Sequence, residues 1–193
     1  DPVADDKIAQ IDAELFQIFL EGMDAALAGK RDTPAAKRAA SEALFCDALE
    51  ATTDEESWDL LTLALDADPG NVDALLSLLD YLVVTLDEEI QALVKIVLLG
   101  ERRLGKKGFK AFAGNFWAAL ETRPYMRARA WLADALHEAG KHEEALAERE
   151  SMLSLNPNDN QGVRYLILPA YLERQRLDDA ARLFGAYKNE CEL

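Results

Sequence analysis

Four arginines, Arg123, Arg127, Arg129 and Arg164, are the side chains of this chain best suited to recognising another molecule. A guanidinium offers paired donors in a planar fork, the shape that grips a carboxylate or a phosphate. All four fall near the beginnings of successive helical stretches, where exposed backbone N–H groups also favour an anion. Glu121, Asp134 and Asp159 are carboxylates that could neutralise them internally. Two readings therefore stand: structural ion pairing, and recognition of an anion or a peptide end. Asn158, Asp159 and Asn160 are ordinary turn and cap types.

Other candidates for chemistry are few. His137 and His142 are the two histidines, on either side of Gly140, and their spacing does not place two ligands on one helical face. Cys46 and Cys191 are far apart and lack metal-ligand spacing, so they read as reduced packing or terminal residues. No glycine-rich phosphate loop, nucleophile elbow or paired-thiol motif occurs. Glu143-Glu144 and Asp178-Asp179 sit at helix starts, where the helix dipole accounts for them. Glycosidase chemistry would need carboxylates converging in a cleft, which a linear reading leaves open. The expectation is a protein that is not an enzyme, with no cofactor and no metal.

The elements that position these residues are clearest from Met126 to Asp159. Leu132, Ala133 and Leu136 share one helical face. Gly140 ends that helix in the manner of a left-handed exit. Ala145, Leu146, Met152, Leu153 and Leu155 then mark the buried side of a second helix, which Pro157 prevents from continuing. Two helices joined by so few residues must lie antiparallel.

These residues resemble the tetratricopeptide repeat (TPR), a helical hairpin with a period of about 34 residues. Counting Met126 as the first position, Leu132, Ala133, Leu136, Gly140, Ala145 and Pro157 stand where the family has large apolar, small, large apolar, glycine, alanine and proline. Arg129 and Arg149 depart from it, standing where Trp and an aromatic residue are usual; Trp131 lies two positions late. The phrases at 121–129 and 155–165 resemble those of uncharacterised TPR-containing proteins and imply no activity.

The resemblance implies an all-α chain, an α-solenoid of antiparallel helical hairpins wound as a TPR-like superhelix of about nine to ten helices. It implies a peptide-binding groove lined in the best repeat by Arg127, Ala130, Asp134, His137 and Glu138. In the last repeat the groove positions are Gly162, Tyr165, Pro169, Leu172 and Glu173. Ala130 and Asp134 do not match the Lys and Asn with which the chaperone-binding subgroup holds a terminal carboxylate, so that partner class is rejected. With the arginine reading added, the candidate site is Arg127, Ala130, Asp134, His137, Arg164 and Tyr165.

The rest of the chain reads as the same hairpin with less fidelity, one domain over 1–193. Ile8, Ile11, Leu15, Ile18 and Phe19 mark an N-terminal helix over 5–31, its apolar face broadened by Phe16 and Leu20 and closed by Gly29. Degenerate repeats occupy 34–71, with Thr33 as N-cap, Pro34 in the first turn and a capping box at Thr53 and Glu56, and 72–105, with Thr85 or Asp87 capping its second helix. Pro69 and Pro157 stand 88 residues apart, about 20 more than two periods. The excess reads as an extra helix over 106–123 carrying Phe112, Phe116, Trp117 and Leu120, either a filler or a peptide-stacking platform. The best repeat takes 124–159 and a C-terminal repeat 160–193. There Gln175 replaces the turn glycine, and Pro169 must kink the first helix or displace its start.

Charge is uneven. Of the net −15, residues 1–100 carry 22 acidic and 6 basic side chains, whereas 101–193 carry 14 and 15. The acidic half repels phosphate backbones and anionic lipids, which argues against nucleic acid and membrane surfaces. It either keeps helix faces soluble, or meets a basic partner or the less acidic half head to tail. The most apolar run, 92–100, is too short to span a bilayer, and no signal peptide is visible, so cytoplasm is the default. A chain beginning at Asp1 reads as trimmed or partial. The functional expectation is a protein-protein interaction scaffold holding a peptide or helix, with self-association as the alternative and a small-molecule or anion receptor, or an enzyme, third.

Overall fold

The computed structural model describes residues 2–29, 33–82 and 84–188, with side chains in the first helix described from Ala13 onward. Expectations for the side chains of Ile8 and Ile11, and for Cys191, lie outside the described residues. All regular structure among the described residues is helical. The chain divides into two compact units, Asp1–Gly108 and Phe109–Leu193.

The first unit holds α1 (Pro2–Ala28), α2 (Ala35–Glu50), α3 (Asp54–Ala67), α4 (Val72–Leu79) and nearly all of α5 (Leu86–Ala111). α2 and α3 form the hairpin expected at 34–71. The Thr53 hydroxyl caps the N–H of Glu56 at 3.2 Å, and the Glu56 carboxylate reaches back to the N–H of Thr52 at 3.1 Å, one residue earlier than in a standard box. Thr33, expected as the N-cap of α2, instead donates its hydroxyl to Asp68 at 2.8 Å, and no side chain caps α2. At the hairpin's exit Ser41 donates to the Ala64 carbonyl at 2.7 Å and accepts from Asn71, whose Oδ1 caps α4. These buried polar groups are therefore mutually satisfied. The core comprises Phe16, Phe19, Leu20 and Met23 of α1, Leu61 and Ala64 of α3, and Leu93 and Ile96 of α5.

The 72–105 hairpin is lopsided, with eight residues in α4 against 26 in α5. Thr85 and Glu88 exchange bonds at the start of α5, and Thr85's two donors hold the Glu88 carboxyl below its ordinary range. Gly105 interrupts α5 at φ 52°, ψ 179°, a conformation open essentially to glycine alone.

The extra helix expected over 106–123 is formed only over 106–111, as the end of α5 beyond Gly105. After Ala111 the chain runs through turns, with Gly114 at φ 78°, to a 3-10 turn at Leu120–Thr122. Phe116 is the cause. Its ring is fully buried between Phe109 and Tyr125, at centroid distances of 5.2 and 6.2 Å, and its N–H donates to the Leu155 carbonyl at 3.3 Å. An amide committed to another element cannot serve a helix of its own.

The second unit also holds α6 (Arg123–Glu138), α7 (His142–Leu155), α8 (Arg164–Glu173) and α9 (Leu177–Ala186). Its two hairpins turn identically. Gly140 has φ 72°, with Lys141 N–H bonded to the Leu136 carbonyl and Gly140 N–H to that of His137. Thirty-five residues on, Gln175 has φ 56°, Arg176 bonds Tyr171 and Gln175 bonds Leu172. Both are Schellman turns, so Gln175 does take the glycine's place. α8 begins at Arg164 and continues through Pro169, which falls inside the helix.

Candidate functional site

Three of the four arginines, Arg123, Arg129 and Arg164, are engaged by groups of the chain itself. Arg123 stacks 5.6 Å from the Trp117 ring and donates to that residue's carbonyl at 2.9 Å. Arg164 lies 4.8 Å from the rings of both Tyr165 and Tyr187 and pairs with Asp159 at 3.5 Å. Asp159 is itself buried at φ 49° and accepts the N–H groups of Val163 and Arg164 at 2.6 and 3.2 Å, which caps α8. Arg127, Ala130, Asp134 and His137 follow one another along one stripe of α6, the first two half-buried and the last two exposed. Tyr165 is exposed beside Arg164.

The two arginines that depart from the TPR pattern each pair with the facing helix. Arg129, nearly buried, donates from Nε to Glu148 at 2.8 Å and from Nη1 to Ser151 at 2.8 Å. Arg149, equally buried on the facing helix, reaches back to Asp134 at 2.9 Å. Two antiparallel ion pairs thus clasp α6 to α7 where aromatic packing is usual. Asp134, read as a groove residue, is one end of that clasp.

Gly140's left-handed turn brings His137 and His142 together, their Nδ1 atoms 3.2 Å apart. The sequence spacing excluded two ligands on one helix but did not consider two helices. Two nitrogens alone close no metal site, and no group of three or more metal-ligating side chains occurs among the described residues.

The feature that sequence reasoning missed lies in the first unit. An open apolar groove of about 660 Å³ runs between α1, α3 and α4. Leu15, Ile18, Phe19 and Met23 form its α1 wall, Trp58 and Leu65 its α3 wall, and Leu75 and Leu78 belong to α4. Ile18 is 65% exposed, although it is a large aliphatic side chain in mid-helix. Asp66 is the charged residue among those lining the groove. The signal was present in α1, whose apolar residues Leu15, Phe16, Ile18, Phe19 and Leu20 cover more than half its circumference. That is wider than one packing face requires.

A more polar depression of about 480 Å³ lies beside the α2–α3 turn, lined in part by Thr53, Asp54 and Asp80. Burial holds the Asp80 carboxyl above its ordinary range, but Thr53 is committed to capping α3. No helix among the described residues is long and apolar enough to cross a membrane.

No family model matches the chain, and no curated protein matches it. Solved structures similar to the chain include two of MamA. One, MamA AMB-1, shares 19% identity at a TM-score of 0.42, covering 93% of each chain. The other, described as MamA protein, shares 20% identity at a TM-score of 0.34, covering 83% of this chain and 98% of that one. Likeness at this level is too loose to carry a function across.

Proposed function

We propose that the protein is a non-enzymatic interaction scaffold of TPR-like hairpins that binds an apolar segment of another polypeptide. The supporting observation is the open groove of the first unit, where apolar side chains at helical spacing remain uncovered. A contiguous apolar depression of this kind marks an interaction site more often than chance exposure. Burying side chains there would drive binding, with the surrounding charge selecting the partner. Selection of a displayed random peptide library on the wild type should enrich sequences with apolar anchors, and the same selection on Ile18→Asp should not. Equal enrichment on both proteins would remove the groove as the site.

A second reading, self-association, has its own support in the second unit. Leu172, Leu177 and Phe184 on α8 and α9 are each more than half exposed. Sedimentation over a hundredfold concentration range tests it. Growth in mass that Leu177→Ser/Phe184→Ser abolishes would establish it, and a constant monomer mass would exclude it.

A further inference from the structure

Building on the scaffold reading, we propose that the groove of the first unit receives a basic amphipathic helix. The form of the partner follows from what the walls offer. α1, α3 and α4 satisfy their own backbones and present no strand edge, and the lining is apolar apart from Thr62 and Asp66. An extended peptide laid there would lose water from its N–H and C=O groups without gaining partners. A helix brings its backbone bonds with it and needs only an apolar stripe. The α1 wall from Leu15 to Ala26 is about 17 Å long, three helical turns, so a partner helix of similar length can match it.

The charge of the partner follows from the rims. Beside Ile18 on α1, Glu14 and Glu21 fall at i−4 and i+3, on the edge of the same face. On α3, Glu55, Asp59 and Asp66 fall at i, i+4 and i+11, again one stripe, and all three are exposed. No Lys or Arg lines the groove. Three described basic side chains of this unit are engaged elsewhere: Lys95 with Asp24, Arg102 with the carbonyls of Ala26, Leu27 and Gly29, and Arg103 with Asp68. An apolar cleft edged by carboxylates on both sides is complementary to an apolar stripe flanked by Lys or Arg.

The test uses the full chain and fluorescein-labelled 18-residue peptides, read by anisotropy: a Leu/Lys amphipathic helix, the same helix with Glu for Lys, and the Leu/Lys peptide with a central proline. The Leu/Lys helix should bind at least about tenfold more tightly than the other two, and its affinity should fall as salt rises. Ile18→Asp should abolish binding; because Ile18 is largely exposed, circular dichroism should show an unchanged fold. Asp59→Lys/Asp66→Lys should weaken the Lys peptide and favour the Glu peptide. Glu42→Lys/Asp47→Lys, on exposed positions of α2, should change affinity less than about twofold. Equal effects of the two charge reversals would reduce the binding to general attraction by an acidic surface and overturn the proposal. If the Glu or proline peptide bound as well as Leu/Lys while Ile18→Asp still abolished binding, the basic helix would be overturned and the scaffold reading kept. No Ile18-dependent binding by any peptide would overturn both.

Discussion

Arg129 and Arg149 are almost equally buried, yet their surroundings are not equivalent. Arg129 meets Glu148 and Ser151 and lies 5.6 Å from the Tyr125 ring. Arg149 meets one carboxylate, on a side chain that is 66% exposed, and its Nε is buried without a hydrogen-bond partner. A buried charge whose bonds are incomplete is often better replaced by an apolar side chain, whereas removing a fully engaged one costs about 2 kcal/mol. Arg149→Met should therefore leave the thermal midpoint unchanged or raise it, and Arg129→Met should lower it, as calorimetry would show. Tyr171 offers a second check. It donates to Glu150 at 2.7 Å, and burial first, with that bond second, pushes its hydroxyl up to about 12. Since the folded value exceeds the unfolded one near 10, the stability it contributes is whole below about pH 10 and is lost as pH rises toward 12. Absorbance at 295 nm should show one late-titrating tyrosine that Tyr171→Phe removes. None of these partnerships was readable from spacing, because ion pairs between facing helices depend on how the helices are rotated. Only the anomaly of arginine at two aromatic positions pointed to them.

Among the elements, the two turns of the second unit form a natural experiment. Gly140 and Gln175 occupy the same left-handed position with the same bonds, 35 residues apart, and a side chain there costs about 1 kcal/mol or more. Gln175→Gly should stabilise the protein and Gly140→Ala should destabilise it, each by about 1 kcal/mol in chemical denaturation. A fall in stability for Gln175→Gly would mean that the glutamine side chain makes a contact worth more than the strain. The hairpins at 34–71 and 124–159 were legible because their punctuation is local: Pro69, Thr53, Gly140 and Pro157 act within a few residues. The 106–123 segment was misread for the opposite reason. Its aromatic spacing suits a helix, but Phe116 is buried between Phe109 and Tyr125 and its amide is taken by Leu155. Tertiary burial overrode local preference, with Gly114 supplying the turn.

For the whole molecule, charge is the property with the widest reach. Residues 1–100 carry a charge of −16 and 101–193 a charge of +1, so self-repulsion is concentrated in the first half, where salt screens it. Raising NaCl from 0.02 to 0.3 M should raise the thermal midpoint by a few degrees. A fall would mean that the ion pairs of Arg174, Arg176 and Arg182 outweigh the repulsion. The amino-acid sequence by itself determined the all-helical class, the hairpin punctuation and the acidic first half, because periodicity, turn chemistry and charge are properties of neighbouring residues. Tertiary structure alone decided where the arginines went, that 112–119 is not helix, and that Ile18 and Trp58 line one open groove. Those outcomes depend on which faces of distant helices come together, and a helix with apolar residues around more than half its circumference does not reveal which part stays uncovered.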